Sequence, residues 1–201
     1  MLMSCNEKDI SLIGFMGCGK SSVGKILASL LHDCHLIDLD TYIEEKQGKI
    51  IPEIFNEYGE AAFRRMEREA LEEIFRDPDR PRAILSLGGG TVTSGQCRQL
   101  IRRHTDCFYL RATTDTLLSN LEGHSEGRPM LNPTQPVEAQ STETSSEREA
   151  LRHRIESLMQ TRSPQYLATA HHIIDIDGLS FAQIAEIIKE AVETNTLNIK
   201  R

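Results

Sequence analysis

The chain has 201 residues, of which 39% are hydrophobic and 26% charged, a composition that predicts one globular domain of mixed α/β type. Its 30 acidic and 23 basic residues give a net charge of −7, which excludes a broad attraction to nucleic acid or to an anionic membrane. Any anionic ligand must therefore be held by local positive charge.

Short apolar runs alternate with helical patterns along the chain. The apolar runs predict five strands, at residues 9–15, 35–39, 83–87, 107–110 and 172–176. Apolar residues at helical spacing predict helices at 20–31, 41–46, 51–58, 60–75, 94–103, 114–121, 147–160 and 180–193. This alternation is typical of parallel βαβ construction with strands covered on both faces.

Two segments near the end of the chain have distinct patterns. Asn132 to Glu149 is rich in Pro, Ser, Thr, Gln and Glu, so we expect a mobile insertion. In the last predicted helix, Ser180 and Gln183 have capping-box spacing, and the apolar face that includes Phe181 is assigned to packing alone.

The cysteines and the start of the chain indicate the compartment. The five cysteines are odd in number and lack CxxC spacing, so neither a disulfide framework nor a zinc site is expected. The first residues show no signal-peptide pattern, and no apolar run approaches the roughly 20 residues that span a bilayer. We therefore expect a cytoplasmic protein.

The stretch GFMGCGKSS, residues 14–22, fits the phosphate-loop pattern G-x-x-x-x-G-K-[ST] between a strand and a helix. Glycines let backbone N–H groups converge on phosphate oxygens, and the helix dipole adds positive charge. The alternative is a glycine turn that binds nothing. The residues expected to bind ATP phosphates are Gly17, Cys18, Gly19, Lys20, Ser21 and Ser22. Lys20 is expected on the outer phosphates, and the Ser21 hydroxyl on Mg²⁺.

Cys18 has a second interpretation besides its place in the phosphate loop. A helix N-terminus lowers a thiol pKa, which predicts inhibition by thiol reagents and protection by ATP. The alternative is a small residue that fills the loop.

Asp38 and Asp40 close the second predicted strand. Alternate strand residues point the same way, and the carboxyl edge of a parallel sheet lies beside the phosphate loop. One carboxylate is suited to the Mg²⁺ shell, and the other to accepting a proton from a substrate hydroxyl. The alternative is that the pair caps the following helix.

Further candidate residues follow in AFRRMERE, SLGGG, RPML and TRSPQY. The glycines at 88–90 require close backbone approach or unusual torsions, or else form a tight turn. Arg128 is placed to close over phosphates, and Arg162 is suited to bind a carboxylate in bidentate fashion. Arg64 and the other two arginines are each also consistent with a solvated surface charge or a loop position.

Together these motifs resemble the shikimate kinase family, in the family's order from Ile10 to Ala170. The resemblance implies a three-layer P-loop kinase fold with a five-stranded parallel sheet, of the nucleoside-monophosphate-kinase type. It implies one domain over residues 1–201, with a substrate-binding helical region at about 41–76 and a mobile lid and insertion at about 122–149. It also implies ATP-dependent phosphorylation of the 3-hydroxyl of shikimate, with one Mg²⁺ ion, in the biosynthesis of chorismate and aromatic amino acids.

The resemblance also assigns roles to residues. Asp38 resembles the magnesium-side aspartate beside Ser21, and Asp40 the residue that grips the shikimate hydroxyls and serves as base. Arg64 and Arg162 resemble the pair that binds the shikimate carboxylate. Gly88, Gly89 and Gly90 resemble the triplet that approaches the shikimate ring, and Arg128 the lid arginine that reaches the ATP phosphates. Lys20, Asp40 and Arg128 are the expected catalytic residues, in a monomer that binds ATP and shikimate but no nucleic acid or membrane.

The sequence departs from the family pattern near the lid. Members often carry another arginine near the adenine, where this chain has Ser119, Asn120 and Leu121, and the insertion after RPML is longer than usual. Adenine contact is therefore expected to be weaker or made differently. The alternatives are a gluconate or nucleoside-monophosphate kinase, and a non-catalytic P-loop module that binds ATP without turnover. A GTP-driven switch lacks an identifiable guanine-specific element.

Overall fold

The computed structural model describes residues 8–121 and 144–194, with the backbone alone for 144–146. Its strands are β1 Asp9–Ile13, β2 Cys34–Asp38, β3 Arg82–Ser86, β4 Thr105–Arg111 and β5 His172–Asp175. They form one sheet in the order β2-β3-β1-β4-β5, and every neighbouring pair is parallel. The predicted five-stranded parallel sheet is confirmed.

Helices connect these strands and cover the sheet. They are α1 Lys20–Leu30, α2 Leu39–Gln47, α3 Ile51–Arg76, α4 Gly95–His104, α5 Thr114–Leu121, α6 Thr144–Thr169 and α7 Phe181–Thr194. A short 3₁₀ helix spans Thr91–Thr93. Within the described ranges, no helix has the length and apolar character needed to cross a membrane.

Apolar side chains fill both faces of the sheet, so every residue of β1 is buried. On one face, α1 and α7 contribute Leu27 and Ile184 to the core. On the other face, α3 and α4 contribute Phe63 and Ile101. Burying a side chain of this size contributes about 1.5–3 kcal/mol. The two helical layers therefore hold the sheet between them, as the three-layer prediction requires.

The predicted division between helices at 51–58 and 60–75 is confirmed, because α3 consists of two helical segments that meet at Gly59, where φ is 74° and ψ is 171°. Another predicted helical region differs from the structure. The helix predicted to end at Gln160 continues to Thr169 through Pro164, and it begins at Thr144 within the predicted insertion. Tertiary contacts override the proline signal there, since Tyr166 beyond it is fully buried.

The chain around Asp38 and Asp40 also differs from prediction. The strand β2 ends at Asp38, and Asp40 lies in the first turn of α2. The two carboxylates therefore do not share a strand face. Both carboxylates still lie at the carboxyl edge of the sheet. The strands β2, β3 and β1 are parallel neighbours, so the segments that follow them meet at this edge.

Candidate active site

The phosphate loop follows β1 and leads into α1. Gly17 and Gly19 have φ angles of 83° and 87°, a backbone conformation that favours glycine. Gly19 is also the N-cap of α1, so the free N–H groups and positive dipole end of that helix face the loop. The loop has the form that backbone binding of phosphate requires.

Lys20 lies inside the curve of this loop. Its side chain is largely buried, and Nζ donates to the carbonyl oxygens of Gly14 at 2.9 Å and Phe15 at 3.0 Å. Neutral carbonyls orient the ammonium group without cancelling its charge. Lys20 therefore brings a fixed positive charge to the loop where phosphates would bind.

Cys18 lies in the hydrophobic core and has no exposed surface. Its sulfur packs so close to Gly14 that a Cβ there would approach it to 2.8 Å, and its backbone N–H donates to Phe15 at 3.3 Å. Since a reagent needs access to the sulfur, this position favours the loop-filler interpretation over the reactive thiol. Its contact with ATP stays a prediction.

Asp38 joins the phosphate loop to the second strand. The Ser21 hydroxyl donates to Asp38 Oδ2 at 2.6 Å, and the Ser86 hydroxyl lies 3.0 Å from the Ser21 oxygen. The other carboxylate oxygen of Asp38 accepts from the Asp40 N–H at 3.2 Å and caps α2. The helix-cap interpretation of Asp38 is therefore confirmed, while its other oxygen contacts the phosphate loop and its place in a Mg²⁺ shell stays a prediction.

The Asp40 carboxyl group lines the same cavity from α2. Burial, followed by the charges of Glu67 and Asp38, raises the pKa of Asp40 from 3.8 to about 6, against the opposing effect of Lys20. A carboxylate with a pKa nearer neutrality holds a proton more readily than an ordinary aspartate. Asp40 is therefore suited to act as a general base.

Glu67 is a fully buried carboxylate in the AFRRMERE segment and is not one of the predicted site residues. It pairs with Arg64 Nη1 at 2.6 Å and accepts from the Thr91 hydroxyl at 2.5 Å. Burial raises the pKa of Glu67, against the opposing effect of Arg64. Glu67 holds the Arg64 guanidinium in place. The available signal was the i, i+3 spacing of the two residues, which puts them on one helix face.

Each glycine of Gly88–Gly90 packs against a different neighbour. A Cβ on the first would lie 2.9 Å from Asp40 Oδ1, and a Cβ on the second 3.1 Å from the Met16 nitrogen. A Cβ on the third would collide with the Arg64 guanidinium. None of the three has a positive φ. Close approach, rather than unusual torsion, explains why this segment lacks side chains.

Arg162 lies on α6 with only 3% of its surface exposed. Its guanidinium lies over the Phe15 ring, 5.9 Å from the centroid, and Nη1 donates to the Gly89 carbonyl at a long 3.5 Å. Among the residues that the structure describes, no carboxylate forms an ion pair with it. A buried cation without an acidic partner is costly, so this guanidinium is suited to receive an anionic ligand.

Phe181 and Asn120 stand at the phosphate-loop end of the cavity. Phe181 is 41% exposed and packs against Gly19, so it lies outside the core that Ile184 and Ile188 of the same face join. Asn120 Nδ2 donates to the Gly17 carbonyl at 2.9 Å. The sequence pattern predicts Phe181 on the apolar face of α7. Nothing in the neighbouring residues indicates that the first residue of this face lies outside the core.

These groups surround a cavity of about 610 Å³. Its lining consists of Met16, Gly17, Gly19, Lys20, Ser21, Ser22, Asp38, Asp40, Ser86, Leu87, Gly88, Gly89, Asn120 and Phe181. Gly90, the last residue of the triplet, lies next to this lining and contacts Arg64, and Arg162 contacts Gly89. Arg128 falls outside the described residues, as does the predicted lid up to residue 143.

Comparisons with known proteins identify the family of the chain. The family model described as Shikimate kinase matches residues 16–193. A Shikimate kinase of Thermus thermophilus is 36% identical over 184 residues, covering 92% of this chain and 88% of that protein. The solved structure of a shikimate kinase from Acinetobacter baumannii in complex with shikimate has a TM-score of 0.79 and 29% identity, covering 95% of this chain and 96% of that one.

A solved structure from the rival class is less similar. A gluconokinase from Sinorhizobium meliloti 1021 has a TM-score of 0.54 and 14% identity, covering 96% of this chain and 95% of that one, which shows a shared fold alone. The family model and the bacterial relative each cover most of the chain. The chain therefore belongs to the shikimate kinase family and is an ATP-dependent kinase.

Proposed function

We propose that the cavity binds ATP and shikimate side by side and transfers the γ-phosphoryl group of ATP to the 3-hydroxyl of shikimate. The observation that carries this assignment is the buried Arg162 guanidinium, which lies beside the glycine triplet without an acidic partner in the described chain. The shikimate carboxylate supplies the missing anion. A bidentate arginine–carboxylate pair then fixes the orientation of the ring.

On the nucleotide side, backbone N–H groups of the phosphate loop hold the phosphates. Gly17, Gly19 and Ser22 line the cavity at this end, and Lys20 brings its charge to the outer phosphates. The positive end of α1 adds to this attraction. Arg128 remains our predicted lid arginine. This arrangement neutralises the charge that phosphoryl transfer spreads over the phosphate oxygens.

The residues beside the loop fit a magnesium ion carried by the nucleotide. Mg²⁺ prefers oxygen ligands and is held by one or two protein groups plus phosphates. Ser21 and Asp38 provide such oxygens 2.6 Å apart. Among the described residues, no three His, Cys, Asp or Glu side chains group closely enough to hold a metal ion. When bound, Mg²⁺ would neutralise part of the phosphate charge, and Ser21 and Asp38 would be the residues that hold it.

On the acceptor side, Asp40 receives the proton of the 3-hydroxyl. Its carboxylate lies beside Gly88, where a Cβ would approach Asp40 Oδ1 to 2.9 Å, which supports its role next to the triplet. Arg64, fixed by Glu67, and Arg162 bind the carboxylate of the substrate. The bare backbone of the triplet lets the substrate approach. Two arginines and one aspartate thus recognise the two ends of a small hydroxylated acid.

The test is ADP release by the purified full chain with ATP and Mg²⁺, with shikimate or gluconate as the acceptor. We expect release that depends on shikimate and stays at background with gluconate. Gluconate-dependent release would support the rival acceptor. ATP binding by calorimetry without release for either acid would support the non-catalytic module instead.

We expect Phe181→Ala to raise the KM for ATP by about tenfold, because stacking of a base on an aromatic ring contributes about 1–3 kcal/mol. Phe181 is placed for this contact by its exposed ring at the phosphate-loop end of the cavity. Inhibition by inorganic tripolyphosphate, which has no base, should be unchanged. Leu167→Ala, which removes another exposed apolar side chain, is the control. Equal weakening of ATP binding and tripolyphosphate binding in Phe181→Ala would show that Phe181 only stabilises the phosphate loop and does not contact the base.

A further inference from the structure

Tyr166 connects the core of the protein to the glycine triplet. Its side chain has no exposed surface, and its ring stacks on Tyr109 with 4.9 Å between centroids. The hydroxyl group donates to the carbonyl oxygen of Gly89 at 2.5 Å. A buried tyrosine hydroxyl needs a partner, and here the partner belongs to the segment that faces the substrate.

The same carbonyl oxygen receives a second donor from the same helix. Arg162 lies four residues before Tyr166, on the same face of α6, and its Nη1 reaches Gly89 at 3.5 Å. The tyrosine contact is 1.0 Å shorter than the arginine contact. The phenol therefore supplies most of the hydrogen bonding to this carbonyl. The Arg162 guanidinium also hydrogen-bonds the phenol oxygen, and its remaining donors are kept for another partner.

Gly89 is also pressed against the phosphate loop. A Cβ on Gly89 would lie 3.1 Å from the Met16 nitrogen and 3.6 Å from the Gly14 oxygen. Holding its carbonyl therefore fixes this peptide between the loop and α6. If the tyrosine hydroxyl were lost, the partly buried Gly89 carbonyl would need another donor, and the Arg162 guanidinium already in contact would move toward it.

We propose that Tyr166 is a positioning residue for substrate binding, whose hydroxyl satisfies the Gly89 carbonyl and so leaves the Arg162 guanidinium available for the substrate carboxylate. The inference rests on the proposed function, because it takes Arg162 as the carboxylate ligand. Tyr166 itself does not touch the substrate. Its effect appears in shikimate affinity rather than in the chemical step.

The test compares Tyr166→Phe with Tyr109→Phe in the full chain. Both changes remove one hydroxyl and keep the stacked ring, but Tyr109 has no hydrogen bond to Gly89 among the described contacts. For Y166F we expect the KM for shikimate to rise about tenfold, because a hydrogen bond that steers a charged group is lost. The KM for ATP and kcat should stay within twofold. Y109F should leave all three values near those of the parent.

A mutant cycle with Arg162→Lys separates positioning from general stability. Lysine lacks the planar fork, so adding Y166F to R162K should raise the KM for shikimate by less than twofold. An equal tenfold rise in both backgrounds would overturn the proposal. So would an unchanged KM in Y166F, or a Y166F chain that fails to fold by circular dichroism while Y109F folds. If the parent chain lacks shikimate-dependent ADP release, the proposed function itself fails, which is a different result.

Discussion

Replacing Asp40 by asparagine is expected to lower kcat by about 10²- to 10⁴-fold, the range by which a positioned general base contributes to catalysis. Asparagine keeps the size and polarity of the side chain but cannot accept the proton of the substrate hydroxyl. The KM for ATP should change little, because Lys20 and the phosphate loop are untouched. Steady-state ADP release with shikimate as acceptor measures both values.

The same substitution should stabilise the protein. The pKa of Asp40 rises from 3.8 to about 6 in the folded chain, so the folded state binds a proton more tightly than the unfolded state. The stabilisation that comes from protonated Asp40 is fully present below pH 3.8 and is lost as the pH rises through about 6. At pH 7 the ionised carboxylate costs about 3 kcal/mol, and asparagine removes that cost. In thermal unfolding at pH 7, the Tm of Asp40→Asn should exceed that of the parent by about 2–4 °C for each kcal/mol of stabilisation.

Asp79→Asn makes the same chemical change at an exposed position and is the matched control. It should alter neither kcat nor Tm. In the parent enzyme, kcat/KM should fall about tenfold per pH unit below pH 6, because Asp40 is then protonated. An Asp40→Asn chain that retains full kcat would remove Asp40 from the base role. A lower Tm would contradict the buried-charge account even if activity were lost.

The order of strands and helices was predictable because their apolar patterns are local. The phosphate loop could be recognised for the same reason, since its glycines, lysine and serine all lie within residues 14–22. Asp38 and Asp40 were correctly expected near the loop, because all parallel strands end at one edge. The strand-face argument failed because α2 begins two residues earlier than its pattern indicates.

Contacts between distant segments could not be predicted from one sequence. Tyr166 and Gly89 are 77 positions apart, and no spacing rule relates them. Phe181 has the same local pattern as the core residues of α7, and only its contact with Gly19 shows that it faces the cavity. The burial of Cys18 likewise depends on how the loop folds back over Gly14. These positions were missed or left open because their environment is made by tertiary packing.

Arg162→Met is expected to lower shikimate affinity by about 10²- to 10³-fold, since losing one partner of a buried charged pair costs about 2–5 kcal/mol. Methionine fills similar space without charge. Free of substrate, the buried guanidinium has no acidic partner in the described chain, so its removal should raise Tm, as for Asp40→Asn. Calorimetric titration with shikimate and thermal unfolding provide the two measurements.

The control is Arg65→Met, which removes an exposed arginine. It should leave both shikimate binding and Tm near the parent values. Saturating shikimate should raise the Tm of the parent chain, because a ligand that binds the folded state stabilises it, and should leave the Tm of Arg162→Met nearly unchanged. Unchanged shikimate affinity in Arg162→Met would exclude Arg162 as the carboxylate ligand. A lower Tm of Arg162→Met without shikimate would show that the guanidinium stabilises the ligand-free protein. Groups of the protein itself would then compensate for the burial of its charge.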